Sequence, residues 1–299
     1  MGEVDVGVVG LGNMGSGIAG CFVRAGVPLG VWDANEAALD SYRSREGIRI
    51  MTPGDMAAAG ATMLFVVPAT PEIEACFDGD DGVLARAAPN LVVYDLTTSY
   101  PTDTKRLADR ATERGIDYLD AAMSGGAGGA AAGTLTLMIG GDSAAFERTR
   151  EQLMVIADDL FHLGPVGAGH TMKLIHNMAC HSIFMATCEA GRMAERAGLD
   201  LADMIDVFNV SNAQSFASRE RFPRHILSGA WDGRSRVYNL HKDLSMAVGL
   251  AGELGTDVAH GRATLDILES AISRGMADSD FTLLYRDFDD LHTDPTEPS

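Results

Sequence analysis

The sequence has no apolar run that approaches the roughly 18 residues needed to cross a membrane. Its N-terminus also lacks the basic segment that precedes the apolar core of a secretory signal. The stretch Val4–Val9 therefore predicts a buried β-strand rather than a signal peptide. We expect a cytoplasmic protein without a membrane partner.

Positive charge is scarce: 23 basic residues face 42 acidic ones, which gives a formal net charge of −19. Such a surface repels nucleic-acid phosphates and anionic lipids, so neither class of partner is expected. A small anionic substrate remains compatible with this charge, because a pocket can be locally positive.

Metal-binding and disulfide patterns are also missing. The four cysteines include no C-x-x-C pair, which favours buried free thiols in a reducing compartment. No histidine pair combines H-x-x-x-H spacing with a nearby acidic ligand, so helix packing and surface positions account for the histidines and no metal site is expected. The cysteines are Cys21, Cys76, Cys180 and Cys188, and the histidines considered are His162, His170, His176, His181, His225, His241 and His260.

The first half of the sequence alternates short apolar runs with helical patterns, which predicts a doubly wound α/β domain with a parallel sheet. Its 299 residues allow one large domain or two ordinary ones. The predicted strands are Val4–Val9, Leu29–Trp32, Met63–Val67, Leu91–Tyr94, Ile116–Leu119, Leu135–Ile139 as an edge strand, and Leu160–Leu163. The predicted helices between them are Met14–Arg24, Glu36–Arg45, Pro71–Phe77, Pro101–Arg114 and Ala144–Ala157.

The second half carries only helical spacing. Helices are predicted from about Gly167 to Arg196 and over Leu201–Val210, Gln214–Ile226, Leu240–Glu253 and Val258–Ser273. The domain prediction is therefore an N-terminal dinucleotide-binding domain of the Rossmann type over residues 1–164, followed by an all-α domain over residues 165–290. Residues 291–299 are acidic and contain proline, and we expect them to be frayed.

The stretch GLGNMG places Gly10, Gly12 and Gly15 in a G-x-G-x-x-G pattern between an apolar strand and a helix. Gly10 allows the tight turn, Gly12 allows the backbone to approach a pyrophosphate, and Gly15 allows close packing of helix on strand. Free N–H groups at the helix start then face the phosphates. The alternative is a glycine-rich turn without function, but the strand–turn–helix context favours a dinucleotide site.

Asp33 follows the second predicted strand, 18 residues after Gly15. A carboxylate there accepts hydrogen bonds from ribose hydroxyls and repels a 2′-phosphate, which favours NAD over NADP. No arginine follows, since Ala34 and Asn35 are next. The alternative is a solvated turn aspartate or a helix N-cap before Glu36.

Lys173 and Asn177 are four residues apart on the first predicted helix of the second half, so they share one face. A lysine held in a partly dry cleft near another cation can exchange protons near neutral pH. The alternative is an ordinary surface lysine on the same helix as a structural asparagine.

Four further stretches carry a resemblance to a known family. The stretch DAAMSGG (Asp120–Gly126) resembles a substrate motif D-A-P-V-S-G-G, and GPVGAGHTMKLIHN (Gly164–Asn177) resembles a catalytic motif G-x-x-G-x-G-x-x-x-K-x-x-x-N. KDL (Lys242–Leu244) resembles a late K-D-L, and DLTTSYP (Asp95–Pro101) resembles D-x-S-T-x-x-P. With GLGNMG, the sequence resembles the β-hydroxyacid dehydrogenases, the group of 3-hydroxyisobutyrate dehydrogenase and tartronate semialdehyde reductase, over nearly its whole length.

The resemblance implies an NAD-dependent oxidoreductase that moves a hydride between nicotinamide and a small 3-hydroxy acid. It implies Lys173 as the general acid and base, Asn177 as the substrate-positioning side chain, and a carboxylate site at Ser124, Gly125 and Gly126. The implied cofactor-binding residues are Gly10, Leu11, Gly12, Asn13, Met14, Gly15, Asp33, Val67, Pro68, Glu72, Thr98 and Lys242. The alternative for Lys242 is a helix-surface lysine paired with Asp243, and the alternative for Ala127–Gly133 is a flexible loop. A homodimer or homotetramer is expected.

Three departures from the family pattern leave the substrate open: Ala122 and Met123 in the substrate motif, and Ser235 where relatives often carry an aromatic residue. Neither the hydroxy acid, nor the physiological direction, nor the oligomeric state follows from the sequence. Reduction of a semialdehyde acid, imine reduction, 6-phosphogluconate oxidation and a non-catalytic cofactor-binding module of the same fold remain alternatives; the presence of Lys173 argues against imine reduction and the non-catalytic module, and the modest length argues against 6-phosphogluconate oxidation.

A basic run, RERFPRH (Arg219–His225), lies in the second half. We interpret it as a solvated helix face, and contact with an anionic substrate tail is the alternative.

Overall fold

The structure is a computed structural model that describes residues 4–292. Its residues form two compact units, one extending to Lys173 and one beginning at Leu174. The division falls a few residues after the predicted boundary at residue 164, inside a helix. The reason is that the first turn of this helix packs on the sheet: a Cβ atom on Gly169 would lie 2.2 Å from the carbonyl oxygen of Met138.

The first unit contains one eight-stranded sheet, and its order is β3-β2-β1-β4-β5-β6-β7-β8. All neighbouring strands pair in parallel except β6 and β7, which are antiparallel. The strands are β1 Val6–Val9, β2 Leu29–Trp32, β3 Ile48–Ile50, β4 Thr62–Phe65, β5 Val92–Asp95, β6 Asp117–Ser124, β7 Leu135–Gly140 and β8 Ala157–His162. The order over the first six strands is that of a dinucleotide-binding sheet, with its switch point between β1 and β4.

The strand expected at the edge of the sheet is an interior strand, so that prediction was wrong. β7 lies between β6 and β8, and its residues Leu135, Leu137 and Ile139 are fully buried. The edge is β8, which exposes Asp158 and Asp159. Charged side chains on an edge strand discourage pairing with another chain. The short strand β3 was not predicted.

Nine helices begin in the described part of the first unit. They are α1 Asn13–Arg24, α2 Glu36–Leu39, α3 Pro53–Ala59, α4 Thr70–Phe77, α5 Val83–Arg86, α6 Pro101–Thr112, α7 Gly126–Ala132, α8 Ser143–Leu153 and α9 Ala168–Arg196, which continues into the second unit. The helix predicted over Glu36–Arg45 ends at Leu39 and continues as the 3₁₀ turn Asp40–Tyr42. The alternative of a flexible loop at Ala127–Gly133 is wrong, because α7 covers this segment and Gly133 is its C-cap.

Close packing on α1 explains why a glycine- and alanine-rich segment forms α7. A Cβ atom on Gly17 of α1 would lie 2.8 Å from the backbone nitrogen of Ala131, so the two helices approach at backbone distance. The thiol of Cys21 also donates to the carbonyl oxygen of Ala130, at 3.2 Å. Only small side chains permit this approach, and the packing compensates for the low helix propensity of glycine.

The described part of the second unit is helical, as predicted. It contains the rest of α9, α10 Leu201–Asn209, α11 Val237–Glu253, α12 Ala259–Ser273 and α13 Leu283–Arg286. Between α10 and α11 lies a π-helical segment, Ala217–Leu227, where an ordinary helix was expected. Pro223 lies inside this segment. Proline cannot donate a backbone hydrogen bond, which disfavours regular α-helical bonding there.

Each unit has its own apolar core. In the first unit, apolar side chains on the two sides of the sheet form two clusters, and Phe22, Phe65 and Tyr94 are fully buried among them. In the second unit, the ring of Phe184 on α9 lies 5.1 Å from that of Phe281 and 6.2 Å from that of Phe222. The predicted Rossmann domain followed by an all-α domain is confirmed.

Three smaller expectations can also be compared with the structure. None of the four cysteines, all of them within the described residues, forms a disulfide; Cys21 and Cys188 are buried, whereas Cys76 and Cys180 are half-buried. Within residues 4–292, no helix combines the length and apolarity that a membrane crossing requires. The frayed tail was predicted for residues 291–299, of which 293–299 lie outside the described residues. Leu291 is buried in a 3₁₀ segment, Phe288–His292, so the prediction was wrong for this residue.

Candidate functional site

The glycine-rich turn after β1 has the backbone that a pyrophosphate site needs. Gly10 has a φ of +96°, and a Cβ atom on it would lie 2.4 Å from the carbonyl oxygen of Val66. A Cβ atom on Gly15 would lie 1.9 Å from the carbonyl oxygen of Gly10. A Cβ atom on Gly12, in contrast, would meet nothing within 4 Å. Two glycines thus close the turn on itself, while the third leaves open space in front of the backbone.

Helix α1 begins at Asn13 directly behind this open space. Its N-cap is Gly12, which has no side chain to accept the first N–H groups of the helix. Asn13 is exposed, Met14 is half-buried, and Leu11 is buried. Unpaired N–H groups and the positive end of the helix dipole favour an anion at this place. These residues therefore fit the pyrophosphate of a dinucleotide.

Asp33, at the end of β2, is tied to the glycine-rich turn. Its Oδ2 accepts a hydrogen bond from the N–H of Leu11 at 2.6 Å, and its Oδ1 accepts from the N–H of Asn35 at 2.8 Å. The N-cap of α2 is Asn35 rather than Asp33. A carboxylate has about four acceptor positions, so Asp33 keeps acceptor capacity for ribose hydroxyls.

The remaining residues assigned to the cofactor in the first unit lie after β4 and β5, the strands on the far side of the switch point. Val67 is half-buried and Pro68 is exposed, directly after β4. Glu72 is exposed on the first turn of α4, and Thr98 is half-buried after β5. The carboxyl ends of parallel strands are where ligands of such sheets bind. The contacts of these four residues with a cofactor stay a prediction.

The substrate motif forms the end of β6 and the start of α7. Ser124 is the last residue of β6 and is half-buried. Gly125 and Gly126 follow with φ values of +120° and +60°. Both values favour glycine, and both residues are exposed. Met123, one of the departures from the family motif, packs against the apolar cluster around β1 and β6.

Asp120, the first residue of the same motif, holds the start of α9, a role that its place in the motif does not indicate. It is fully buried in β6. Its Oδ1 accepts from the N–H of Gly167 at 2.6 Å and its Oδ2 from the N–H of His170 at 2.7 Å. Burial raises the pKa of Asp120, which the charge of His170 and the N–H donors oppose. The carboxylate acts as an N-cap that comes from another element.

The glycines of the catalytic motif make this arrangement possible. Gly164 and Gly167 have φ values of +136° and +92°. A Cβ atom on Gly169 would lie 2.9 Å from Oδ2 of Asp120, in addition to its clash with Met138. The G-x-x-G-x-G pattern therefore allows the chain to turn and to bring the N-terminus of α9 onto β6 and β7.

The side chain of His170 also anchors the first turn of α9, in addition to its backbone N–H. It is fully buried, and its Nδ1 lies 2.7 Å from Oγ1 of Thr104. Its Nε2 has no hydrogen-bond partner within residues 4–292 and lies 3.9 Å from Oδ1 of Asp95. This histidine serves helix packing, in agreement with the sequence interpretation.

Asp95 collects a buried polar network at the end of β5. It accepts from the hydroxyl of Tyr118 at 2.8 Å and from the hydroxyl of Thr97 at 2.5 Å. The Thr97 hydroxyl also lies 2.6 Å from that of Ser99. Burial, followed by the charge of Asp95, raises the pKa of Tyr118 well above its ordinary value. Buried hydrogen bonds of Asp95, Thr97 and Ser99 thus hold the D-L-T-T-S segment, and Thr98 stays outside this network.

Lys173 and Asn177 lie one turn apart on α9, which is continuous over Ala168–Arg196. The helical spacing puts both on one face, as predicted. Lys173 is half-buried, and Asn177 is 5% exposed. Lys173 follows His170 by only three positions, so the anchored first turn also determines where the lysine lies.

Within the second unit, Asn177 is oriented by two partners. Its Nδ2 donates to Oδ2 of Asp243 at 2.7 Å, and its Oδ1 accepts from Nδ1 of His176 at 2.9 Å. Lys242, next to Asp243 on α11, has its Nζ 3.5 Å from Oδ1 of Asp243. The ion pair between Lys242 and Asp243, which the alternative of a helix-surface lysine required, is thus present. The same carboxylate also binds Asn177, so it connects the two side chains.

Sequence reasoning missed the roles of Asp120 and Asp243. Both stood in quoted motifs, as the first letter of DAAMSGG and the middle letter of KDL. Their partners are 47 or more residues away in the sequence, so spacing carried no signal of the contacts. Among the residues that the structure describes, no group of three or more histidine, cysteine or acidic side chains is arranged to hold a metal ion.

Comparison with known proteins is consistent with this geometry. A family model described as the NAD binding domain of 6-phosphogluconate dehydrogenase matches residues 5–164, and one described as NAD-binding of NADP-dependent 3-hydroxyisobutyrate dehydrogenase matches residues 167–288. The NAD-dependent L-serine dehydrogenase of Pseudomonas aeruginosa is 30% identical over 95% of this chain and 98% of its own. The chain belongs to the β-hydroxyacid dehydrogenase family.

Other β-hydroxyacid dehydrogenases are similar at comparable coverage. The 2-(hydroxymethyl)glutarate dehydrogenase of Eubacterium barkeri is 29% identical over 95% of this chain and 94% of its own. The structure of 3-hydroxyisobutyrate dehydrogenase of Mycobacterium tuberculosis with L-serine superimposes with a TM-score of 0.85 at 26% identity, covering 96% of this chain and 99% of that one. The predictions of the family, of an NAD-dependent oxidoreductase and of a hydroxyacid dehydrogenase are confirmed.

Proposed function

We propose that this β-hydroxyacid dehydrogenase oxidises a small 3-hydroxy acid, or reduces the corresponding semialdehyde acid, with Lys173 as the general base or acid. The observation that carries the proposal is the pair Lys173 and Asn177 on one face of α9, whose first turn is held by Asp120. The chain contains three lysines, and two of them, Lys173 and Lys242, occur at the family's motif positions.

The proton chemistry is assigned to Lys173. In the oxidising direction, its Nζ takes the proton of the substrate hydroxyl, and in the reducing direction it returns a proton to the same oxygen. The residues of the glycine-rich turn and Asp33 would hold NAD, which would supply the acceptor for the hydride that leaves the carbinol carbon. The rigid attachment of the first turn of α9 to β6 supports this role, because general acid–base catalysis requires a positioned group.

Substrate positioning is assigned to two further places. The hydroxyl of Ser124 and the backbone of Gly125 and Gly126 bind the carboxylate; the positive φ values of both glycines support this assignment, because successive N–H groups in such a conformation form an anion-binding concavity. The amide of Asn177 binds the substrate oxygen, and its bond to Asp243 fixes which way the amide faces.

The cofactor preference is assigned to Asp33. Its carboxylate stands at the end of β2 and repels a 2′-phosphate, and neither Ala34 nor Asn35 offers a compensating cation. NAD is therefore the preferred cofactor. We further propose a location in the cytoplasm, which the four cysteines outside disulfides support. We also propose a homodimer or homotetramer, and the length of α9, which suits subunit packing, supports it.

The substrate itself divides the relatives into two classes. One similar enzyme is named for L-serine, with a single carboxylate, and another for 2-(hydroxymethyl)glutarate, with two. A panel of 3-hydroxy acids from both classes, followed by the formation of NADH, tests the proposal. A chain that binds NADH but oxidises no member of the panel, and reduces no semialdehyde acid, is a cofactor-binding module instead.

The variant Lys173→Ala tests the assignment of the proton transfer. We expect kcat to fall about 10²–10⁴-fold, the range of a positioned general acid or base, while the affinity for NADH stays within about threefold. Lys173→Arg is not expected to restore turnover, because a guanidinium cannot accept the proton. The matched control is Lys105→Ala, at an exposed lysine of α6. Turnover of Lys173→Ala within about threefold of the control would show that the assignment is wrong.

A further inference from the structure

Arg221, in the π-helical segment Ala217–Leu227, lies against two aromatic rings. Its guanidinium carbon is 5.1 Å from the ring centre of Phe216 and 5.0 Å from that of Phe281. The side chain is half-buried, and within residues 4–292 it makes neither a hydrogen bond nor an ion pair. The guanidinium carbon lies over the face of each ring. The N–H donors of a guanidinium lie in its own plane.

The missing partner stands out in a chain with 42 acidic residues. The carboxylate of Glu220, next in the sequence, pairs with Arg224 at 3.0 Å. The other nearby carboxylate, Asp280, accepts from the hydroxyl of Thr282 at 2.6 Å and from two backbone N–H groups. Both neighbouring acids are therefore engaged elsewhere, and the fold leaves the fork of Arg221 unused.

An arginine in this state is prepared for an anion. Burial lowers the pKa of Arg221, and the neighbouring Cys180, Asp280 and Glu220 act in the opposite direction. A guanidinium nevertheless stays protonated in proteins. Ring contacts restrict the side chain, so little conformational freedom is lost when a ligand binds. The planar fork matches a carboxylate or phosphate through two parallel hydrogen bonds.

The position of Arg221 relates it to α9. Cys180, which lies close enough to Arg221 to influence its pKa, follows Asn177 by three residues and therefore lies on the same face of the helix. Phe281, which Arg221 contacts, also packs on Phe184 of α9 at 5.1 Å between ring centres. Three residues correspond to about 4.5 Å along a helix axis, so Arg221 borders the face that carries Asn177, roughly one turn further along.

We propose that Arg221 binds a second anionic group of the substrate, so that the preferred substrate is a 3-hydroxy acid with an additional carboxylate or phosphate. The arginines of the basic run Arg219–His225 therefore differ in exposure. Arg219 and Arg224 are exposed, as expected for a solvated helix face, whereas Arg221 is half-buried. The inference rests on the proposed dehydrogenase function for its substrate, whereas the anion site itself depends on Arg221 alone.

A pair of substrates that differ only in the distal charge tests the proposal. The probes are 2-(hydroxymethyl)glutarate and its analogue in which the distal carboxylate is a carboxamide. We expect the wild type to prefer the diacid in kcat/KM, and Arg221→Met to lower kcat/KM for the diacid about 10–150-fold, the range of a hydrogen bond to a charged group. The amide analogue should change less than about threefold, because it cannot form the charged pair.

Two matched variants separate the charge effect from damage to the fold. Arg219→Met removes an exposed arginine from the same segment, and it should leave the preference for the diacid unchanged. Arg221→Lys keeps the charge without the planar fork, and it should recover part of the preference. Equal losses for both substrates in Arg221→Met, or the same loss of preference in Arg219→Met, would overturn the proposal.

A binding measurement keeps this inference distinct from the dehydrogenase proposal. Calorimetric titration in the presence of NAD compares glutarate, butanoate and 4-phosphonobutanoate, none of which carries a hydroxyl to oxidise. We expect both dianions to bind more tightly than butanoate, and Arg221→Met to remove the difference; the tighter dianion tells carboxylate from phosphate. Binding that depends on Arg221 without any turnover refutes the dehydrogenase assignment alone. Turnover in which neither dianion gains from Arg221 refutes the anion site alone.

Discussion

The buried carboxylate of Asp120 is expected to contribute more to the free energy of unfolding than a carboxylate at the surface of the first unit. Its carboxylate is fully buried and accepts two backbone hydrogen bonds, from Gly167 at 2.6 Å and from His170 at 2.7 Å. The substitution Asp120→Asn keeps the size of the side chain but leaves one acceptor for two donors. The amide nitrogen then faces the second N–H group, so that two donors meet and that hydrogen bond is lost.

The magnitude follows from these contacts. Loss of one hydrogen bond to a charged group removes about 1.5–3 kcal/mol, and the buried N–H left behind costs about 1–3 kcal/mol. The negative charge at the N-terminus of α9 adds up to about 2 kcal/mol. Relief from burying a charge opposes these losses, and the raised pKa of Asp120 shows that this burial is unfavourable. We expect a net loss of about 2–4 kcal/mol, or about 4–16 °C in Tm.

Thermal and urea unfolding of the purified variant measure this loss. The matched control is Asp117→Asn at the start of the same strand, where the carboxylate pairs with Arg148 at 2.7 Å and both side chains are more than a third exposed. That variant should lose at most about 1 kcal/mol. If Asp120→Asn melts within about 2 °C of Asp117→Asn, the reasoning about the buried cap is refuted.

Two further predictions concern the glycine-rich turn and a buried tyrosine. Gly12→Ala should leave the Tm within about 2 °C of the wild type, because its Cβ meets nothing within 4 Å, yet weaken NADH binding at least about tenfold by filling the space before the backbone; Gly15→Ala should lower both, and equal Tm values for the two variants would contradict the packing argument. Burial raises the pKa of Tyr94 to about 12, so the stability it contributes is complete below about pH 10 and is lost as the pH rises toward 12. Between pH 9 and pH 11 the wild type should therefore lose about 1 kcal/mol more unfolding free energy than Tyr94→Phe, measured with urea, and parallel losses would refute this.

Local patterns were enough for much of the fold. The predicted strand Leu29–Trp32 agrees with β2, and the helix predicted from about Gly167 to Arg196 agrees with α9 over Ala168–Arg196. Such segments are recognisable because apolar spacing and glycine punctuation act within a few residues. The flexible loop considered for Ala127–Gly133 was wrong: many glycines favour a loop, whereas packing on α1 makes Gly126–Ala132 a helix.

Sequence alone determined where the chemistry-bearing residues stand along the chain: the glycines of the turn after β1, Asp33 after β2, and Lys173 and Asn177 one helical turn apart. These are relations over short distances, which strand and helix geometry convert directly into space. Only the tertiary structure decided that Asp120 caps a helix beginning 48 residues later. It alone also decided that, of the arginines in one basic run, Arg221 lies against two aromatic rings and forms no ion pair within residues 4–292. Long-range pairing depends on which elements pack together, and no residue spacing encodes which carboxylates the fold has already engaged.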